Sequence, residues 1–155
     1  MTPRNNRIAA VAALATAIVI PAEGLRQWAY EDLANPALLT VCYGHTGSDV
    51  QKNVKYDLDK CKALLTTDML AAVEQVERCH PNLPQNVHAA FADAVFNLGP
   101  KVACDSTASG FLEQGDYAAA CAQLPRWNKA RVGGVLVPLP GLTKRREKEM
   151  ALCLA

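Results

Sequence analysis

At 155 residues, half of them hydrophobic, the chain is long enough to bury one compact core and too short for several independent domains. A formal net charge of +1 gives no basic field of the kind that draws a protein to nucleic acid, and aromatic residues at 6% leave few rings for a base-stacking platform. No nucleic-acid partner is expected.

Behind Arg4 and Arg7, fifteen uncharged residues run from Ile8 to Ala22, seven of them alanine. As a helix this run spans about 22 Å at ~1.5 Å per residue, short of a hydrocarbon core of roughly 30 Å, so it makes a weak anchor. The positive flank predicts insertion with the N-terminus in the cytoplasm and the rest exported. A cleaved signal peptide is the competing reading, because an h-region of about 7–15 residues fits and Pro21-Ala22 precede a candidate cleavage bond. Ile20, three residues before that bond, is larger than the small residue wanted there. Cleavage would also remove the helix that ought to hold Glu23.

The next stretch, rich in Gly, Thr and Tyr with short β-prone runs, reads as a small hairpin lobe. From Asp57 to about Cys79, Leu58, Cys61, Leu64, Leu65, Ala72, Val73 and Val76 recur at helical spacing with charges between them, which predicts one long helix. Pro81 and Pro84 interrupt the pattern, and Val87, Phe91, Val95 and Leu98 restart it until Gly99-Pro100. Gly115-Asp116 reads as a turn and N-cap before a helix from Ala118 to Leu124. A loop containing Gly133-Gly134 and Pro138-Leu139-Pro140-Gly141 follows, and Leu142 to Leu154 reads as a last helix. The sum is an α+β protein: residues 1–22 as a signal-anchor segment, then residues 23–155 as a small β lobe, a connecting helix and a helical lobe. The cleft between two such lobes suits an extended polymer.

Six cysteines form an even set, and an exporting segment makes disulfides chemically available. None forms a C-x-x-C pair, and His45, His80 and His88 fall in no zinc-ligand spacing, so neither metal nor cofactor is expected. Six cysteines allow 15 pairings, among which sequence does not choose.

Glu23 abuts the apolar run and begins a spaced set with Asp32 and Thr40. By spacing alone Glu23 and Asp32 read first as two solvated charges flanking a turn, and the residues around them are what favour a catalytic role. Breaking a glycosidic bond needs a protonated carboxyl to donate to the leaving oxygen and a second group to stabilise the oxocarbenium-like state or activate water. Glu23 is the candidate acid, with the helix end Ile18-Val19-Ile20 supplying burial that disfavours its charged form. Asp32 is the candidate ionised partner, and Thr40 the hydroxyl that holds the attacking water. Glu31 is the alternative carboxylate.

The wording around these residues is Glu23-Gly24-Leu25-Arg26, Ala29-Tyr30-Glu31-Asp32 and Thr40-Val41-Cys42-Tyr43-Gly44-His45-Thr46, continuing through Phe96-Asn97-Leu98-Gly99, Gly115-Asp116-Tyr117, Arg126-Trp127-Asn128-Lys129 and Gly141-Leu142-Thr143-Lys144-Arg145-Arg146. This resembles the phage lysozymes of glycoside hydrolase family 24, in the subset that lyses Gram-negative hosts from a signal-anchor-release segment. The resemblance implies a lysozyme-like fold and an endolysin; a monomer is expected. Its activity would be that of a muramidase cutting the β-1,4 bond between N-acetylmuramic acid and N-acetylglucosamine in peptidoglycan, usually with inversion. It implies the same roles for Glu23, Asp32 and Thr40, and a tether in the host inner membrane followed by release to the periplasm.

By matched motif, Asn97, Arg126 and Asn128 are expected in the cleft, and His45 is expected to pair with Asp68. Arg145 or Arg146 either steadies Glu23 or belongs to a solvated basic face. Trp127 is read as core, and His80 and His88 as surface or helix-end residues. The implied disulfides are Cys42–Cys61, Cys79–Cys153 and Cys104–Cys121. The chain departs from the family in the turn before Thr40, where Asn35-Pro36-Ala37-Leu38-Leu39 looks two residues longer, so the departure bears on Thr40. A lytic transglycosylase, with a single catalytic acid, and a catalytically silent wall-binding protein are the alternative functions.

Overall fold

The computed structural model describes residues 2–32 and 37–155. Helix α1 covers Pro3–Glu23, longer than the apolar run because Thr2 caps it, its hydroxyl accepting from the Asn5 N–H at 3.3 Å, and Pro3 suits a first helical turn. Val11, Ala15, Ile18 and Val19 are buried as one stripe, while Ala9, Ala13 and Ala17 face outward. Ile20 is 46% exposed, so it does not share the apolar environment expected for Ile18-Val19-Ile20.

Strands β1 (Arg26–Glu31), β2 (Leu39–Cys42) and β3 (His45–Thr46) form an antiparallel sheet in that order. Tyr30 stands opposite Thr40 and Glu31 opposite Leu39, with an irregularity between Arg26 and Tyr30. Of the longer turn, Asn35 and Pro36 lie outside the described residues.

Helix α2 (Leu58–Cys79) starts where expected because the Asp57 carboxylate accepts from the Lys60 N–H at 2.7 Å. It buries Cys61, Leu65, Met69, Ala72, Val73 and Val76. Helix α3 (Gln85–Leu98) is buried continuously from Val87 to Val95, since α1, α2 and the last helix, α7 (Pro140–Leu154), all pack on it. This puts α3 at the centre of the helical lobe. Both histidines read as surface or helix-end residues are buried; His80 caps the end of α2, a helix-end place as read, whereas His88 lies inside α3. His80 follows the end of α2 and donates through Nε2 to the Ala103 carbonyl at 2.7 Å. His88, on α3, donates to the Val73 carbonyl at 2.9 Å. A ring N–H that finds a backbone carbonyl lets the rest of an imidazole pack as an apolar group.

Between α3 and α7 the chain forms α4 (Lys101–Cys104), α5 (Thr107–Glu113) and α6 (Tyr117–Cys121). Asp116 caps α6, accepting from the Ala119 N–H at 3.1 Å. The helix expected to reach Leu124 stops earlier, and a 3-10 turn, Leu124–Trp127, continues through Pro125, which has no N–H to give an α-helix. The expected loop around Gly133-Gly134 is instead a hairpin of β4 (Lys129–Val132) and β5 (Val135–Pro138). Two consecutive glycines with positive φ supply its turn.

Three disulfides close the fold: Cys42–Cys61, Cys79–Cys104 and Cys121–Cys153. The first is the implied pairing, and the other two correct it. Chain reversal after α3 brings α4 back to the end of α2, with Cα atoms of Cys79 and Cys104 5.5 Å apart, while α6 lies on α7 and delivers Cys121 to Cys153. Each bridge in a small domain contributes on the order of 2–4 kcal/mol.

Candidate active site

A cleft of about 590 Å³ lies between the small sheet and the helical lobe. Glu23, Tyr30, Asp32 and Thr40 line one side, α2 supplies the floor from Asp68 to Arg78, and Phe96 and Asn97 at the end of α3 line the other side. The three residues expected to act on substrate therefore face one space. Thr40 is 4% exposed and shares a hydrogen bond of 2.9 Å between its hydroxyl and that of Thr46 on the neighbouring strand. Pairing of β1 with β2 keeps Thr40 opposite Tyr30 whatever the length of the turn between them. Glu31, the alternative carboxylate, is not among the residues lining the cleft and pairs instead with exposed Lys52 at 3.4 Å.

Glu23 is the last residue of α1, so its position depends on where that helix packs. Two contacts fix it. Gly44 has φ +77, and a Cβ built there would sit 3.0 Å from Glu23 Oε2 and 3.2 Å from its Cδ. Only glycine combines that backbone with that approach. From the helical lobe, Arg145 Nη1 donates to Glu23 Oε1 at 2.5 Å, while its Nε and Nη2 make a two-pronged contact with Asp93 at 3.0 and 2.9 Å. Burial pulls the Arg145 guanidinium down, and the carboxylates of Asp93 and Glu23 more than reverse this, so its affinity for the proton is raised. Arg145 is thus a fixed cation at 4% exposure, holding Glu23 in one orientation.

Of the two arginines left open by the sequence, Arg145 reaches Glu23 and Arg146 does not. Arg146 turns the other way, donating to Glu149 at 2.6 Å, to Asn97 at 2.9 Å and to the Trp127 carbonyl at 3.3 Å. Both arginines are buried, so the basic sequence Lys144 to Lys148 is not a wholly solvated face. Complete burial pushes the Glu149 carboxyl up to about 9, with Asp93 adding to the shift and Arg146 opposing it.

His45 Nδ1 meets Asp68 at 2.7 Å, the expected pair, and its Nε2 also meets Asp49 at 3.0 Å. Asn97 lines the cleft. Arg126 and Asn128 do not, contrary to expectation. The 3-10 turn carries Arg126 to a separate hollow beside Ser106 and Trp127, bonded to Gln123 at 2.8 Å. Asn128 bonds the Thr143 hydroxyl at 3.1 Å, joining the start of β4 to α7. Trp127 is partly buried against the core, as read.

Sequence reasoning missed Asp93 and Gly44. Asp93 had a signal: it is the one acidic residue in a helix otherwise apolar from Val87 to Phe96 apart from His88, and a carboxylate inside a core needs a cationic partner. Gly44 carries none beyond its identity.

The phage lysozyme family pattern matches residues 21–149. A SAR-endolysin of Bacteriophage PS119 is 38% identical over 133 residues, 85% of this chain and 76% of that protein. One from Bacteriophage PS34 is 35% identical over 162 aligned residues, 97% of this chain and 93% of that protein, so it spans α1 as well. Among solved structures, the active form of the P1 phage endolysin Lyz superposes with a TM-score of 0.76 at 26% identity, covering 91% of this chain and 83% of that one. The secreted inactive form of the same endolysin gives 0.51, at 26% identity over 70% and 75%. An acid-bearing helix end, a two-lobed cleft and a family match across both lobes lead to one conclusion: the chain belongs to the phage lysozyme family and is a lysozyme-type glycoside hydrolase.

Proposed function

We propose that the protein is an endolysin muramidase that hydrolyses the β-1,4 bond between N-acetylmuramic acid and N-acetylglucosamine in peptidoglycan. The observation that carries this reading is the convergence of Glu23, Asp32 and Thr40 on one open cleft, with Glu23 oriented by Arg145. Glu23 donates a proton to the leaving glycosidic oxygen, Asp32 faces the developing positive charge as a carboxylate, and the Thr40 hydroxyl positions the attacking water. The Asp93–Arg145 pair acts through Glu23, as a positioning element.

Residues 8–22 tether the protein in the host inner membrane before release, with the N-terminus cytoplasmic and the cleft on the periplasmic side. Support comes from α1, a 21-residue helix long and apolar enough to cross a membrane by length and composition, whose shorter uncharged run makes a weak anchor, and from the SAR-endolysins among the relatives. A helix inserted in the bilayer cannot also bury Val11, Ala15 and Val19 against α3, so the tethered chain lacks the packing that aims Glu23 at the cleft.

Turbidity clearing of outer-membrane-permeabilised Gram-negative cells tests the assignment. The parent clears them, Glu23→Gln abolishes clearing, Asp32→Asn loses most of it, and Thr40→Ala loses less because solvent partly replaces a hydroxyl. Full clearing by Glu23→Gln would remove Glu23 from its role, and full activity of Thr40→Ala would place the water elsewhere.

A further inference from the structure

The cleft floor carries a charge that the bond-breaking chemistry does not use. Along α2 the residues facing the cleft include Asp68, Ala72, Gln75 and Arg78, a helical stripe whose ends are about 15 Å apart at ~1.5 Å per residue. Asp68 is engaged by His45. Arg78, at the far end, is the sole cationic residue among the described residues that line the cleft. Its side chain is exposed, and no carboxylate among the described residues lies within ion-pair distance of it, Glu74 one turn earlier included. Its backbone is well anchored, because the next residue, Cys79, is bridged to Cys104 on α4. The cleft thus presents a guanidinium on an anchored backbone, unspent within the described protein.

We infer that Arg78 is a specificity residue that receives a carboxylate carried by the muramyl unit of the wall strand, an inference that rests on the muramidase reading above. A glycan of neutral sugars offers nothing to a guanidinium except hydroxyls. A muramyl strand offers carboxylates along its length, from the peptide attached to the lactyl group or, where the peptide is missing, from the lactyl group itself. A planar fork of N–H donors pairs with a carboxylate through two parallel hydrogen bonds, which a lysine at the same place cannot copy. Arg78 also sits in the last turn of α2, where any cation complements the helix dipole. That role would appear as stability and not as a preference among substrates.

The experiment measures co-sedimentation with purified sacculi, using full-length protein carrying Glu23→Gln so that the wall is not digested, with and without Arg78→Gln or Arg78→Lys. Three preparations serve as ligand: intact sacculi, strands stripped of peptide by an amidase, and sacculi whose carboxyls have been converted to amides. Arg78→Gln weakens binding to intact sacculi by roughly three- to tenfold, the range for a charge-assisted contact open to solvent. Arg78→Lys falls between that variant and the parent, and on amidated sacculi all three bind alike. On intact sacculi the loss reports the peptide carboxylates, because the lactyl carboxyl is then amide-linked. A loss that persists on stripped strands shows that the freed lactyl carboxylate is received as well, and one that disappears there confines the contact to the peptide. Equal weakening on intact and amidated sacculi, or no weakening on intact sacculi, would overturn the inference, as would a binding loss that tracks a fall in melting temperature. Release of reducing ends by protein with Glu23 intact is scored separately, so failure of the muramidase reading shows there and leaves the binding comparison standing.

Discussion

Helices α1 and α3 are both apolar and alanine-rich, yet the fold treats them in opposite ways. In α3, Ala89, Ala90, Ala92 and Ala94 are all fully buried, because helices approach from every side and small residues let them come close. In α1, Ala15 is buried to the same degree while Ala9, Ala13 and Ala17 face outward. Outward alanines are tolerated by water and add little to membrane affinity, so the segment is matched to neither solvent alone. Polar groups follow the same division. α3 holds His88 and Asp93 fully buried with partners supplied by α2 and α7, whereas the polar ties made by α1 lie toward its two ends, Arg7 with Glu77 at 2.5 Å and Glu23 with Arg145 at 2.5 Å. One helix is fixed by its surroundings, and the other is docked by a single stripe and its two ends.

The largest test of that contrast is Asp93→Ala. It leaves Arg145 buried without its two-pronged carboxylate partner, and unfolding measured by heat or denaturant should show a loss of about 3–5 kcal/mol. A loss below about 1 kcal/mol would mean that the centre of the fold is as forgiving as its N-terminal helix.

Leucine substitutions in α1 sharpen the comparison further. Ala15→Leu forces extra volume into a filled contact and should destabilise the released protein by roughly 1–3 kcal/mol. Ala9→Leu with Ala13→Leu points outward, so the released fold should change by under about 0.5 kcal/mol, while fractionation before and after depolarisation should find the protein retained in the membrane. Equal release of parent and outward variant would count against the tether. A soluble product beginning at Glu23 without depolarisation would identify an ordinary signal peptide.

The buried carboxyl at Glu149 predicts a pH effect. Its pKa rises from an ordinary 4.5 to about 9, so the folded state holds a proton that the unfolded chain has released, and stability declines as pH climbs through that window. Glu149→Gln should lack this decline and gain on the parent at alkaline pH in melting scans. A parallel pH profile for parent and variant would show Glu149 ionised in the fold.

The smallest expected effect comes from His45. Burial lowers its pKa, hydrogen bonds to Asp68 and Asp49 outweigh this, and the net shift is upward. Its stabilisation is full below the ordinary value of about 6.5 and lost as pH rises through the raised value. His45→Gln should flatten the stability profile on that side of neutrality, and an unchanged profile would remove the imidazolium from the account.

Strong periodic and capping signals were the legible part of the sequence. Asp57 and Asp116 mark helix starts that the structure retains, and the long α2 follows its apolar repeat. The β4–β5 hairpin was not legible, because Val135-Leu136-Val137 ends in proline and its exposed residues, Val132, Val135 and Leu136, give no alternation of apolar and polar. Disulfide partners depended on how α4 and α6 turn back, which no local pattern encodes. In the site, Glu23, Asp32 and Thr40 were readable as a spaced set. Asp93 joins them only through Arg145, 52 residues away in sequence, a relation set by packing of α3 on α7.

The most direct test of the central claim is the mass and end-group analysis of fragments released from purified sacculi. The account predicts that the parent releases muropeptides with hydrated N-acetylmuramic acid at the new reducing end, and that Glu23→Gln releases none while keeping the parent's melting profile. Fragments ending in 1,6-anhydro-N-acetylmuramic acid, or unchanged release by folded Glu23→Gln, would contradict it.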